Sequence, residues 1–156
     1  AGGTFSTWLV QRSMLTVGLR VKKQMDNADK LARALEKDPH VIKVNYPTVE
    51  KYPQKELAKK LFKNSNMCGA MLSFEMPSDR EKINEFMKRL NICHYAPTLG
   101  GVRTTMSHPA TSSHRDLPEE MKKALGITEG LMRISVGIEE PEDLIADFTQ
   151  ALKAFD

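Results

Sequence analysis

Aromatic residues, cysteines and long apolar runs are all scarce in this chain of 156 residues, and each shortage excludes something. Phe, Trp and Tyr make up 6% of the residues, with Trp8 the one tryptophan. That leaves little for an aromatic platform on which nucleic-acid bases would stack. The two cysteines, Cys68 and Cys93, form no C-x-x-C pair and each sits beside apolar residues. A disulfide framework or thiolate metal site is therefore disfavoured, and buried reduced thiols in a cytoplasmic protein are expected. No apolar stretch approaches the ~20 residues of a membrane span. The opening Ala1-Gly2-Gly3-Thr4 lacks the basic start and apolar core of a secretory signal. Excess charge of one sign is also missing, since 23 basic residues meet 20 acidic ones for a net +3. The short basic runs at 20–23, 59–60 and 122–123 have acidic residues nearby and read as solvated helix faces, not as a nucleic-acid surface.

What is present is an ordinary globular composition, 40% hydrophobic, at the length of one domain. Such a chain buries about 70% of its unfolded surface without staples. Residues 1–38 read as one long helix, with Leu9, Leu15, Leu19, Met25, Ala28, Leu31 and Leu35 on an apolar stripe. Asp38-Pro39 ends it. Strands are expected at 41–46, at 69–76 (buried), at 102–106 and at 132–138, with a short extended piece at 93–96. Helices are expected at 56–63, from a Ser78-x-x-Glu81 capping box onward, at 118–125, and after Pro141 at a first helical turn. The near alternation predicts an α/β or α+β sandwich with a largely antiparallel sheet covered by helices. Residues 39–156 form its body as one structural unit.

Few residues carry a chemical signal. Arg133 lies inside an apolar strand and shares a face with Ser135. It is either an exposed strand arginine or a partly buried guanidinium whose planar fork awaits a carboxylate. The turn Thr98-Leu99-Gly100-Gly101 has two glycines that permit unusual backbone angles, and its amides could cradle an anion. His108 and His114 lie in a loop with Ser107, Ser112 and Ser113, so a hydrolase with Asp116 as orienting acid is formally possible. A metal site would need a third ligand at helical or hairpin spacing, and none is evident. A hydrogen-bonded structural loop is the simpler reading. The nine methionines fall on apolar stripes and read as core.

Three runs together carry a family resemblance: Thr98-Leu-Gly-Gly-Val102, the Ser107 to His114 run S-H-P-A-T-S-S-H, and the Leu125 to Asp147 run L-G-I-T-E-G-L-M-R-I-S-V-G-I-E-E-P-E-D-L-I-A-D. They closely resemble the C-terminal portion of the Cys/Met-metabolism pyridoxal-phosphate enzymes, the transsulfuration group of cystathionine γ-synthases, cystathionine lyases, methionine γ-lyases and O-acylhomoserine sulfhydrylases. The run from Phe5 to Arg12 (F-S-T-W-L-V-Q-R) resembles the family's long interdomain helix. The resemblance implies the small C-terminal domain of a fold-type I enzyme. In it Arg133 would bind the substrate α-carboxylate, with Thr98 and Leu99 beside it. Arg103 stands where many members have glutamate, toward the distal end of the substrate, which leaves distal specificity open.

The resemblance also implies what to look for and not find. The family holds pyridoxal 5'-phosphate as a Schiff base on a lysine in a Ser-x-Thr-Lys setting within a large N-terminal domain. No lysine here has that context. The chain is thus expected to be a fragment-like part of a lyase or transferase acting at the β- or γ-carbon of a sulfur amino acid or homoserine derivative. The cofactor would be held by the missing N-terminal domain, and this part alone would be inactive. The full-length enzyme is expected to be a homo-oligomer acting on a small amino acid, with no nucleic-acid or membrane partner. An apolar face would then be left uncovered on the long helix. The alternative is a stand-alone, non-catalytic amino-acid-binding or interaction module of the same fold.

Overall fold

The computed structural model describes residues 2–62 and 68–156. The elements run α1 (Thr4–Met14), α2 (Val17–Lys37), β1 (Lys43–Asn45), α3 (Lys55–Leu61), β2 (Met71–Glu75), α4 (Arg80–Arg89), β3 (His94–Tyr95), β4 (Thr105–Ser107), α5 (Glu119–Ala124), β5 (Leu131–Ser135) and α6 (Pro141–Leu152), closed by a 3-10 turn over Lys153–Phe155. The mixed α/β class and the mostly antiparallel sheet agree with the sequence reading. The five strands lie in the order β1-β2-β5-β4-β3, and only β3 against β4 is parallel.

Helices cover one face of this sheet. Val44, Leu72, Phe74, Met106, Met132 and Ile134 point into the core from the strands, and Leu31, Leu35, Ile83, Phe86, Leu144 and Phe148 meet them from α2, α4 and α6. Phe74, Phe86 and Phe148 form a triangle with ring centroids 6.1–6.2 Å apart and two edge-on contacts. That geometry suits the quadrupoles of the rings and adds to their burial. The scarce aromatics are spent at the centre.

Three elements depart from the sequence reading for physical reasons. The segment from Thr4 to Lys37 is two helices, broken at Leu15-Thr16. Its apolar stripe splits accordingly: Ala28, Leu31 and Leu35 are buried, whereas Leu9, Leu15 and Leu19 are exposed. Strand β2 is not buried on both faces but alternates, with Leu72 and Phe74 inward and Met71, Ser73 and Glu75 on the open face. The N-cap of α4 is Asp79, whose carboxylate accepts the Glu81 and Lys82 N–H groups; Ser78 is one residue too early. The expected end of the 56–63 helix at Lys63 lies outside the described residues. Among the described residues no helix is long and apolar enough to cross a membrane.

Candidate functional site

Directly opposite residues in a sheet share a face, so the strand register decides what stands beside Arg133. Ser73 of β2 and Ser107 of β4 flank it, and Asn45 of β1 continues the row. One step along the strands, about 7 Å away, Ser135 pairs with Thr105. The open face of the sheet therefore sets one guanidinium in a row of hydroxyls and an amide, with Met71, Glu75, Lys43 and Leu131 in the neighbouring rows. Arg133 is half-buried, and its side chain makes no ion pair or hydrogen bond among the described residues. A half-buried planar fork without a counter-ion among the described residues suits a carboxylate gripped by two parallel bonds.

The turn after β3 is pinned to this face. The Gly100 N–H donates to Ser135 Oγ (2.9 Å), and Thr105 Oγ1 donates to the Thr98 carbonyl (2.9 Å). Gly100 takes φ +73°, in the left-handed region where a side chain is strained. Thr98 and Leu99 are exposed at the turn's tip, with Leu99 64% accessible. The strand arginine and the glycine turn, distant in sequence, thus converge through Ser135. Arg103 is exposed on the far limb of the same loop and makes no hydrogen bond or ion pair among the described residues.

The loop histidines part company. His108 is buried, and its Nε2 lies 2.7 Å from the Glu129 carbonyl. Its own carbonyl accepts the Ser112 hydroxyl at 2.7 Å, so it is a strut of the loop. Ser113 Oγ lies 2.7 Å from His114 Nδ1 at the surface, but the orienting acid is absent: Asp116 pairs with Arg115 instead. A serine hydrolase centre is thereby incomplete. Among the described residues no group of three or more His, Cys, Asp or Glu side chains is placed to hold a metal ion. Cys93 is a free thiol. Burial, with the nearby Asp147 and Glu139 charges, pushes the Cys93 thiol up to about 12 and leaves it unreactive at neutral pH.

Sequence reasoning missed the polar groups that brace the site. Gln24 and Asn27 are buried on α2, Thr104 is wholly buried, and Glu139 bridges to it. Gln24 and Asn27 continue the stripe of Ala28, Leu31 and Leu35 at helical spacing, which was the available signal.

The family described as Cys/Met metabolism PLP-dependent enzyme matches residues 1–153. A cystathionine beta-lyase of Lactococcus lactis is 38% identical over 151 residues, covering 97% of this chain and 39% of that protein. An L-methionine gamma-lyase of Treponema denticola is 39% identical over 150 residues, covering 96% and 37%. Among solved structures, the cystathionine gamma synthase of Xanthomonas oryzae pv. oryzae, in complex with aminoacrylate and cysteine, superimposes with a TM-score of 0.87 at 33% identity. That match covers 99% of this chain and 39% of the synthase. The chain thus spans less than two-fifths of the length of these relatives. It belongs to the family of pyridoxal-phosphate (PLP)-dependent enzymes of Cys/Met metabolism.

Proposed function

We propose that this chain is the C-terminal portion of a PLP-dependent lyase or transferase acting at the β- or γ-carbon of a sulfur amino acid or homoserine derivative. In this reading residues 1–38 are the helical link between domains and residues 39–156 the C-terminal domain. Arg133 holds the substrate α-carboxylate, the Thr98-Leu99 turn closes over it, and Arg103 faces the distal end. The observation that carries the reading is Arg133 itself: half-buried, unpaired among the described residues, and ringed by Ser73, Ser107 and Ser135 on the open face of the sheet.

The donors on this face suit a carboxylate and do not suit the cofactor. The one lysine in the described strands, Lys43, stands on edge strand β1, two strands from Arg133. We assign the Schiff-base lysine and the phosphate site to the part of the enzyme that this chain does not span, and expect this part alone to be inactive. The contribution made here is to fix one end of the substrate. A bidentate grip sets direction as well as affinity, and it turns the rest of the amino acid toward groups on the opposing domain.

Helix α1 supports the same division. None of its residues is buried, yet it presents Phe5, Trp8, Leu9, Val10 and Met14. An 11-residue helix does not persist on propensity alone. The occupant we assign to that face is the cofactor-binding portion, which would account for the three-fifths of relatives' length lying outside the match.

The test is Arg133→Ala in the full-length enzyme. Losing a charge-assisted pair worth about 3 kcal/mol raises KM about a hundredfold, while the bound cofactor's absorbance stays unchanged. Wild-type KM in the variant would overturn the assignment.

A further inference from the structure

Buried amide side chains sit where helix α2 needs only apolar ones. Positions 24, 27, 28, 31, 32 and 35 form one continuous inward stripe, and four of them are Ala28, Leu31, Ala32 and Leu35. Gln24 and Asn27 occupy the other two at 4% and 1% exposure. A buried amide costs stability unless its hydrogen bonds are met, so an apolar residue would serve packing at least as well. Their partners show what the amides do instead.

Gln24 Nε2 donates to the Gly101 carbonyl at 2.6 Å and so grips the turn that is pinned to Ser135, two residues along the strand from Arg133. Asn27 Nδ2 donates to the carbonyls of Gly137 (3.2 Å) and Glu139 (2.6 Å), just beyond the strand that carries Arg133. Glu139 ties the two grips together. Its carboxylate accepts the Thr104 N–H at 2.5 Å and the Thr104 hydroxyl at 2.8 Å. The same hydroxyl oxygen accepts the Gly137 N–H at 2.9 Å, and the Ile138 N–H donates to the Val102 carbonyl at 3.0 Å. Helix, turn and strand exit are thus closed into one polar ring.

Nothing apolar does this job. Leu99 and Val102, the large apolar residues of the turn, are 64% and 48% exposed. The turn's placement over the open face therefore depends on Ser135, Thr105 and this ring.

We infer that Gln24 and Glu139 are positioning residues for carboxylate recognition: they act through the 98–104 turn to hold its backbone at a fixed distance from the Arg133 fork. Neither touches the substrate. Loosening either lets the turn drift from the guanidinium by a fraction of its own width, and misplacement on the scale of 1 Å costs up to about 100-fold in a positioned site. The inference rests on the carboxylate reading of Arg133.

The experiment compares Gln24→Ala, Glu139→Ala, Glu139→Gln and Arg133→Ala in the full-length enzyme by steady-state kinetics and thermal melting. Positioning predicts that Gln24→Ala and Glu139→Ala each raise KM about tenfold with kcat within about threefold of wild type. Glu139→Gln keeps an acceptor for Thr104 and recovers most of the loss. Lower melting temperature with unchanged KM, or loss of kcat alone, overturns the inference. If Glu139→Ala does not fold, Gln24→Ala and Glu139→Gln decide the matter by the same criterion. Arg133→Ala separates the two levels: a raised KM there with wild-type KM in the others sinks only the positioning role, whereas wild-type KM in Arg133→Ala sinks the reading beneath it.

Discussion

Two charged residues show how far a single side chain reveals its role. Arg133 was visible in the sequence because a guanidinium interrupts an apolar strand, yet the sequence left open whether it met solvent or a ligand. The register resolves its surroundings, since Ser73 and Ser107 come from strands 60 and 26 positions away in the chain. Asp147 was not visible at all, because on paper it is one more acid on a helix. It is buried, and its carboxylate accepts the N–H groups of Asn91 (2.8 Å), Ile92 (2.9 Å) and Cys93 (3.2 Å). Burial alone would raise its pKa, but the three backbone donors outweigh it and hold the carboxyl below its ordinary range. A depressed folded pKa contributes stability that is full above the unfolded value, about 3.9, and is lost as pH falls toward the folded value. Asp147→Ala should therefore cost about 2–4 kcal/mol at pH 7 by urea unfolding. The gap to wild type should narrow below about pH 4. An undiminished gap at low pH would contradict the charge-based account.

At the scale of elements, periodicity was legible and partnering was not. The alternation expected at 132–138, found as a strand over Leu131–Ser135, and the inward spacing of Ala28, Leu31 and Leu35 both follow from backbone geometry. The break between α1 and α2 and the exposure of Leu9, Leu15 and Leu19 depend on what packs against them, which a single stretch of sequence does not specify. The 98–104 turn is likewise set by distant partners. Gly137 shows how closely they approach: a Cβ there would lie 2.4 Å from the Val102 carbonyl oxygen and 2.6 Å from the Thr104 nitrogen. Backbone on both counts has nowhere to retreat. Gly137→Ala should destabilise the chain by about 1–3 kcal/mol, measured by thermal or denaturant unfolding, and displace the turn. Wild-type stability would mean that the strand exit and the turn are not in contact.

For the whole molecule, the distribution of apolar surface matters more than its amount. The core side of the sheet is sealed by α2, α4 and α6, while the open side and α1 carry the polar site and uncovered apolar side chains. Trp8, the lone tryptophan, stands 54% exposed on α1 beside Phe5, with ring centroids 5.8 Å apart. It therefore reports whether that face is covered. Iodide should quench Trp8 efficiently in the 156-residue chain and poorly in a full-length protein that keeps it as the sole tryptophan. Equal quenching would count against the cofactor-binding portion as the occupant. The scarcity of aromatics, at first only an argument against base stacking, makes this residue an unambiguous probe.

We propose carboxylate recognition by Arg133 as the role on which the other assignments depend. Its most direct test compares kcat/KM for an amino-acid substrate and for the corresponding carboxamide, in the full-length enzyme and its Arg133→Ala variant. The wild type should prefer the acid by about a hundredfold or more, and the variant should lose nearly all of that preference. A variant that still discriminates acid from amide as the wild type does would contradict it.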